Sequence, residues 1–178
     1  MICTTISPRS IGCSESDRRR RTSVLINLVL VEQADLLRVL FHEVLIPPAV
    51  QSEFHRLAAS GGRFAGLRVP GWVQVSEQVS IPELILRRTN LDQGETEALA
   101  LALAIHADAV LIDESTGRAA AIEFGLTPIG VLGILVRAKR HGHLTAVSPV
   151  VDALLARANF RASAELVSEV LRLAGEAG

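Results

Sequence analysis

The chain has 178 residues, of which 49% are hydrophobic and 21% charged, with a formal net charge of -1. That balance excludes a disordered chain and supports one domain that buries its own core, while near-neutrality excludes a general basic field for nucleic acid, so such binding needs a local patch. With 3% aromatic residues, no Tyr and one Trp, a reader of RNA by base stacking is disfavoured.

Residues 1–20 are polar, include an arginine run, and follow neither a period of 2 nor one of 3.6, so they read as an irregular N-terminal tail. Both cysteines, Cys3 and Cys13, lie there. They read as free thiols of a reducing compartment, with a short surface disulfide as the alternative, and a cytoplasmic location is expected. "RRRR" (18–21) before the apolar run 24–31 has the start of a twin-arginine export signal, but Glu32 cuts the run and no small-residue cleavage site follows. The run is also too short to span a membrane.

From Thr22 the pattern becomes regular. Thr22 or Ser23 is placed to cap a helix over residues 24–29, and residues 34–40 read as another. "EVLIP" (43–47) is a short buried strand, and Pro48 opens a helix with Val50, Phe54 and Leu57 on one face. Gly61, Gly62 and Gly66 end it in a loop. "WVQVSE" alternates like an edge strand, and residues 82–88 read as a short helix. Asp92 with Glu95 has the spacing of a capping box for a helix to His106. "ADAVLID" is a second buried strand, residues 115–124 a helix, and "TPIGV" a third strand before a helix through residues 136–140. Helices near residues 147–158 and 162–173 close the chain.

Short apolar strands alternating with helices predict an α/β fold, a central, mostly parallel sheet with helices on both faces. Ligand sites in such folds lie beyond the carboxyl ends of the strands. Asp113 and Glu114 stand at the end of "AVLI", Glu53 lies in the helix after "VLIP", and Asp92, Glu95 and Glu97 mark a helix start. Separate segments therefore deliver acids to one edge of the sheet. Carboxylates gathered in one cleft repel each other, and a hard cation such as Mg2+ or Mn2+ with oxygen ligands relieves that repulsion. Each acid also has a plain reading: Asp92 and Glu95 as caps, Asp113 as a cap of the next helix, Glu114 and Glu53 as solvated side chains. Glu95 and Glu97 lie about 200° apart on a regular helix, so only one of them faces such a cleft.

"TSVLINLVLVEQADLLRVLFHEVLIPPAVQSEF", "LDQGETEALALALAIHADAVLIDESTGRAAAIEFGLTPIGVLGILVRAKRHG" and "VVDALLARANFRASAELVSEVL" resemble the PIN-domain proteins of the DUF3368 group over roughly residues 21–173. The resemblance implies a three-layer α/β/α fold over residues 21–178 and a Mg2+- or Mn2+-dependent ribonuclease that hydrolyses RNA phosphodiesters. Many such proteins are toxins silenced by a cognate antitoxin. Carried over by position, the metal-binding and catalytic acids are Glu53, Glu97 and Asp113, with Glu95 at the rim or capping. Glu114, Thr22, Ser23 and Arg118 are secondary candidates, Arg118 to steady a phosphate.

The departure is at the start. Where the family carries an apolar strand ending in an aspartate, this chain has "SESDRRRRTSVLI", with Arg21 in the place of that Asp, and the first strand has no counterpart ahead of Thr22. A guanidinium about 4 Å from a divalent ion is repelled by on the order of 8 kcal/mol at an effective dielectric of 20. Asp17 or Glu15 are the acids available to substitute. The rival expectation is an inactive PIN-like module that binds or regulates, through apolar surfaces or as a homodimer. "RAKRHGH" (137–143) is a basic helix end that suits either phosphates or the helix dipole. His141 and His143 lack the third soft ligand a zinc site needs, and a nucleotide-binding fold would need a glycine-rich loop after a strand.

Overall fold

The computed structural model describes residues 2–3 and 23–176. Glu15, Asp17, Arg21, Thr22 and Cys13 lie outside the described residues. Of the two candidate caps, Ser23 holds α1 (Val24–Leu30): its backbone is extended and its Oγ accepts the Ile26 N–H at 2.9 Å, satisfying one of the donors a helix start leaves over. Residues 24–28 are all buried, so this helix is an inner element and not a surface amphipath. The chain turns at Glu32, with φ 60°, into α2 (Asp35–Leu40).

Pro48 stands at the first position of α3 (Pro48–Ser60), where its fixed φ suits a helix and its missing N–H is not needed. The remaining helices are α4 (Glu83–Leu86), α5 (Gln93–Ala104), α6 (Ser115–Glu123), α7 (Val131–Arg140), α8 (Ser148–Arg157) and α9 (Ala164–Leu173). Among the described residues no helix is long and apolar enough to cross a membrane.

The strands are β1 (Ile2–Cys3), β2 (Leu45–Ile46), β3 (Gln74–Val75), β4 (Val110–Leu111) and β5 (Pro128–Ile129), in a parallel sheet of order β3-β2-β1-β4-β5. Ile2 lies opposite both Leu45 and Val110. The central position, for which the sequence offers no apolar strand just ahead of Thr22, is thus taken by the second and third residues of the chain. This differs from the reading of residues 1–20 as irregular throughout, because two residues are too few to show a period.

Strand alternation divides the core in two. Leu111 packs with Leu25, Ile46 and Phe54 on one face of the sheet, while Val110 and Ile112 pack with Leu99, Ala102 and Ala121 on the other. The first face is covered by α1, α7 and α8 and the second by α5 and α6, which completes the three layers. The alanines of α5 keep that helix close to the sheet, and each fully buried Leu, Ile or Phe contributes roughly 1.5–3 kcal/mol.

The chain builds outward from β1 through β2 to β3, then returns to the other side of β1 for β4 and β5. The strand order therefore reverses between β1 and β4, and the crevice at their carboxyl ends is where this kind of sheet binds ligands.

Candidate functional site

Asp113 leaves the sheet two residues after β4 ends, at the carboxyl edge of that reversal. Its Oδ1 accepts the N–H of Val131, the first residue of α7, at 2.9 Å, so an acid on one loop ties down the start of the next helix. Oδ2 is sealed from solvent without a hydrogen-bond partner. Burial pushes the carboxyl up to about 6, against the pull of the Val131 N–H, the Arg118 guanidinium and the Asn27 amide. Arg118 is fixed in turn by donating from Nη1 to the Ile112 carbonyl at 3.1 Å.

Gly130 caps α7, and a Cβ there would lie 2.6 Å from Asp113 Oδ1. Gly130→Ala is therefore expected to drive Asp113 off the Val131 N–H. Leaving that pair broken in the interior costs roughly 1–3 kcal/mol, which urea unfolding reads as a lower midpoint at unchanged m; an unchanged midpoint would mean the carboxylate has room to step aside.

On α5 the two glutamates part company, as the helical period requires. Glu95 forms the expected capping box: Asp92 Oδ1 accepts the Glu95 N–H at 2.9 Å and Glu95 Oε2 accepts the Asp92 N–H at 3.1 Å. Of the two placements expected for it, rim or cap, Glu95 takes the cap and is 2% exposed. Its Oε1 is buried without a hydrogen-bond partner and packs so tightly on α6 that a Cβ at Gly117 would come within 2.4 Å of it. Burial first, then the neighbouring charge of Asp92, pushes Glu95 up to about 8. Glu97 turns the other way. Its Oε2 accepts the Ala49 N–H at the start of α3 at 2.9 Å, and its Oε1 accepts from Gln93 Nε2 at 2.9 Å. That carboxylate serves as a cap for a neighbouring helix.

Glu53, expected to be a site acid, is 6% exposed on α3, and both of its oxygens accept from Arg56 Nη2, at 2.6 and 2.5 Å. Burial pushes its carboxyl up, Arg56 pulls it back, and the Asp92 charge adds to the rise. Glu114 stands at the N-cap position of α6 without capping through its side chain, and its charge bears on both Glu95 and Asp113. Glu114 thus lies between the reach of two buried acids, Glu95 packed against Gly117 and Asp113 beside Arg118. Lys139, in the basic helix end, pairs with Glu176 at 3.3 Å, which favours a structural role. The rings of His141 and His143 stack with centroids 6.4 Å apart.

Among the described residues, no group of three or more His, Cys, Asp or Glu side chains is disposed to hold a metal ion. The acids at hand nevertheless fit a hard divalent cation in one respect. Asp113 Oδ2 and Glu95 Oε1 are buried carboxylate oxygens without donors, and Mg2+ commonly takes one or two carboxylates, leaving its other positions to water and phosphate oxygens. Arg21, which the resemblance sets in the place of a further acid, lies outside the described residues, as does Thr22, while Ser23 is spent on capping α1.

Three residues near these acids were not singled out from the sequence. Asn27, 2% exposed on α1, is the only polar residue in "VLINLVLV", a signal that was legible. Gly117 and Gly130 gave no signal, since only the approach of a distant carboxylate explains them.

Comparison with curated proteins gives no match, and comparison with solved structures gives none. Among protein-family models, DUF3368, described as a PIN domain, matches residues 21–176. The match spans α1 to α9 and every described acid above. PIN domains carry a nuclease-like role, generally use divalent metals, and typically bind RNA and sometimes antitoxins. By a match over most of its length, the chain belongs to the PIN-domain family DUF3368.

Proposed function

We propose that the protein is a Mg2+- or Mn2+-dependent endoribonuclease of PIN type, acting in the cytoplasm and held in check by a cognate antitoxin. The observation that carries this reading is the pair of buried carboxylate oxygens that accept no hydrogen bond, Asp113 Oδ2 and Glu95 Oε1, on two acids that both feel the charge of Glu114. In this reading Asp113 and Glu95 hold the cation, with Glu53 next to Asp92 as the further acid and Glu97 acting through the α3 start. A divalent cation bound there would supply an activated water and charge stabilisation for the leaving oxygen in the hydrolysis of an RNA phosphodiester. The chain's own part is positional. Val131 holds Asp113 by Oδ1, the capping box holds Glu95 by Oε2, and Arg118, anchored on the Ile112 carbonyl, offers its remaining donors to a phosphate.

The test is incubation of the purified protein with single-stranded RNA and Mn2+, beside Asp113→Asn. Cleavage that vanishes in the variant supports the nuclease; absence of cleavage with every divalent metal sinks it. That second outcome favours an inactive PIN fold that binds or dimerises, a reading supported by Glu53 being paired with Arg56 and Glu97 being used as a cap. An apolar groove of about 390 Å³ between α7 and α9, lined by Leu132, Val136, Val170 and Leu173, is the surface it would use. A monomer in light scattering, together with no partner at that groove, counts against it.

A further inference from the structure

The segment between α4 and α5 faces α6 across a cleft of about 220 Å³. One wall carries Arg88 and Asn90, and the other carries Ser115, Thr116 and Glu123. Ala119 and Ala120 also line it, and their short side chains leave the space open. Ser115 follows Asp113 and Glu114 directly in the chain, so the cleft begins where the acid edge ends. Within one turn of α6, Gly117 packs against Glu95, while Ser115 and Thr116 line the cleft.

The charge in the cleft is held loosely. Arg88 forms an ion pair with Glu123, another lining residue, with the two side chains 38% and 54% exposed. Exposed pairs of this kind contribute little, so a phosphate oxygen, which takes a guanidinium with stronger hydrogen bonds, can displace the glutamate. Two hydroxyls and an amide beside that guanidinium match a ribose, whose 2′-hydroxyl both donates and accepts. There is no aromatic side chain in the lining to stack a base, so the cleft suits the sugar-phosphate of the strand.

We propose that this cleft is an RNA subsite. It holds the ribose-phosphate unit next to the one being cleaved, with Arg88 exchanging Glu123 for phosphate and Asn90, Ser115 and Thr116 recognising the 2′-hydroxyl. The substrate class rests on the nuclease reading above, but the test does not need cleavage. The anisotropy of a fluorescein-labelled single-stranded RNA, and of DNA of the same sequence, is followed with the Asp113→Asn protein in chelator. RNA should bind more tightly than DNA. Arg88→Ala should weaken RNA binding about tenfold and lower the salt slope by about one contact. Glu123→Gln, which releases Arg88, should tighten binding, a gain that misfolding cannot produce. Thr116→Val with Asn90→Ala should remove the preference for RNA over DNA. Equal affinity of Arg88→Ala and its parent, no gain in Glu123→Gln, or equal binding of RNA and DNA would each overturn the subsite. Cleavage by the unsubstituted protein that is indifferent to Arg88 defeats the subsite and keeps the nuclease; Arg88-dependent binding without cleavage under any metal does the reverse.

Discussion

Glu95→Gln is expected to lower Mn2+-dependent RNA cleavage by about 100- to 1000-fold, the scale of losing a group that stabilises charge in the transition state, while Glu97→Gln stays near its parent. The reason lies in how each carboxylate divides its oxygens. Glu95 spends Oε2 on the Asp92 N–H and keeps Oε1 without a donor in the interior. A glutamine has one acceptor, which the Asp92 N–H will claim, so its NH2 group must face the place where Oε1 was. A donor there repels a cation. At position 97 the same change keeps an acceptor for the Ala49 N–H, and the cap on α3 survives. Single-turnover cleavage of a labelled RNA decides between them. If Glu97→Gln is the dead variant and Glu95→Gln the live one, the third acid is Glu97, as position in the family motif implies.

In chelator, the melting temperature should fall as the pH rises from 5 to 9, and Mn2+ should restore it most at the alkaline end. Both acids bind a proton more tightly folded than unfolded: Glu95 rises from 4.5 to about 8 and Asp113 from 3.8 to about 6. Groups raised in this way stabilise the fold fully below their unfolded values and lose that contribution as the pH climbs through the folded ones. For Asp113 alone a rise of about two pH units corresponds to about 3 kcal/mol, of which roughly half is lost above pH 5, or about 3–6 °C over this range in a chain of this size. Glu95 acts in the same direction through a higher pH window. Glu169 and Glu176, whose carboxyls are held low by Arg172 and by the backbone N–H groups of Ser148 and Val147, act oppositely and only below about pH 4.5, so stability should peak in mild acid. Asp113→Asn should flatten the slope between pH 4 and 7. A melting temperature in chelator that is level or climbs from pH 5 to 9 would show that these carboxylates are not confined as described.

Much of this was written locally. The serine ahead of α1, the proline opening α3 and the Asp92–Glu95 spacing each act within one turn of chain, so a reader of the sequence can place those helices from the hydrogen bonds their ends need. The apolar runs at 43–47 and 107–112 announce strands buried on both faces for the same kind of reason. The order of motifs, "GETEALALA" then "LIDESTGRAAA" then "PIGVLGIL", announced the family. The first strand was hidden because Ile2–Cys3 is too short to show a pattern and its pairing with Leu45 and Val110 is a long-range matter.

The roles of the acids were decided by tertiary structure. Helical period alone says that Glu95 and Glu97 face different ways, but which of them meets α6 and which meets α3 depends on how α5 is rotated against the sheet, a packing result spread over Ala98, Leu99 and Ala102. Likewise no spacing rule reveals that Arg56 pairs with Glu53, that Val131 holds Asp113, or that Gly117 and Gly130 are there to let carboxylates come close. Hydrogen-bonding need within a turn is legible in the residues themselves; the destination of a charge is fixed only when the surfaces that bury it have met.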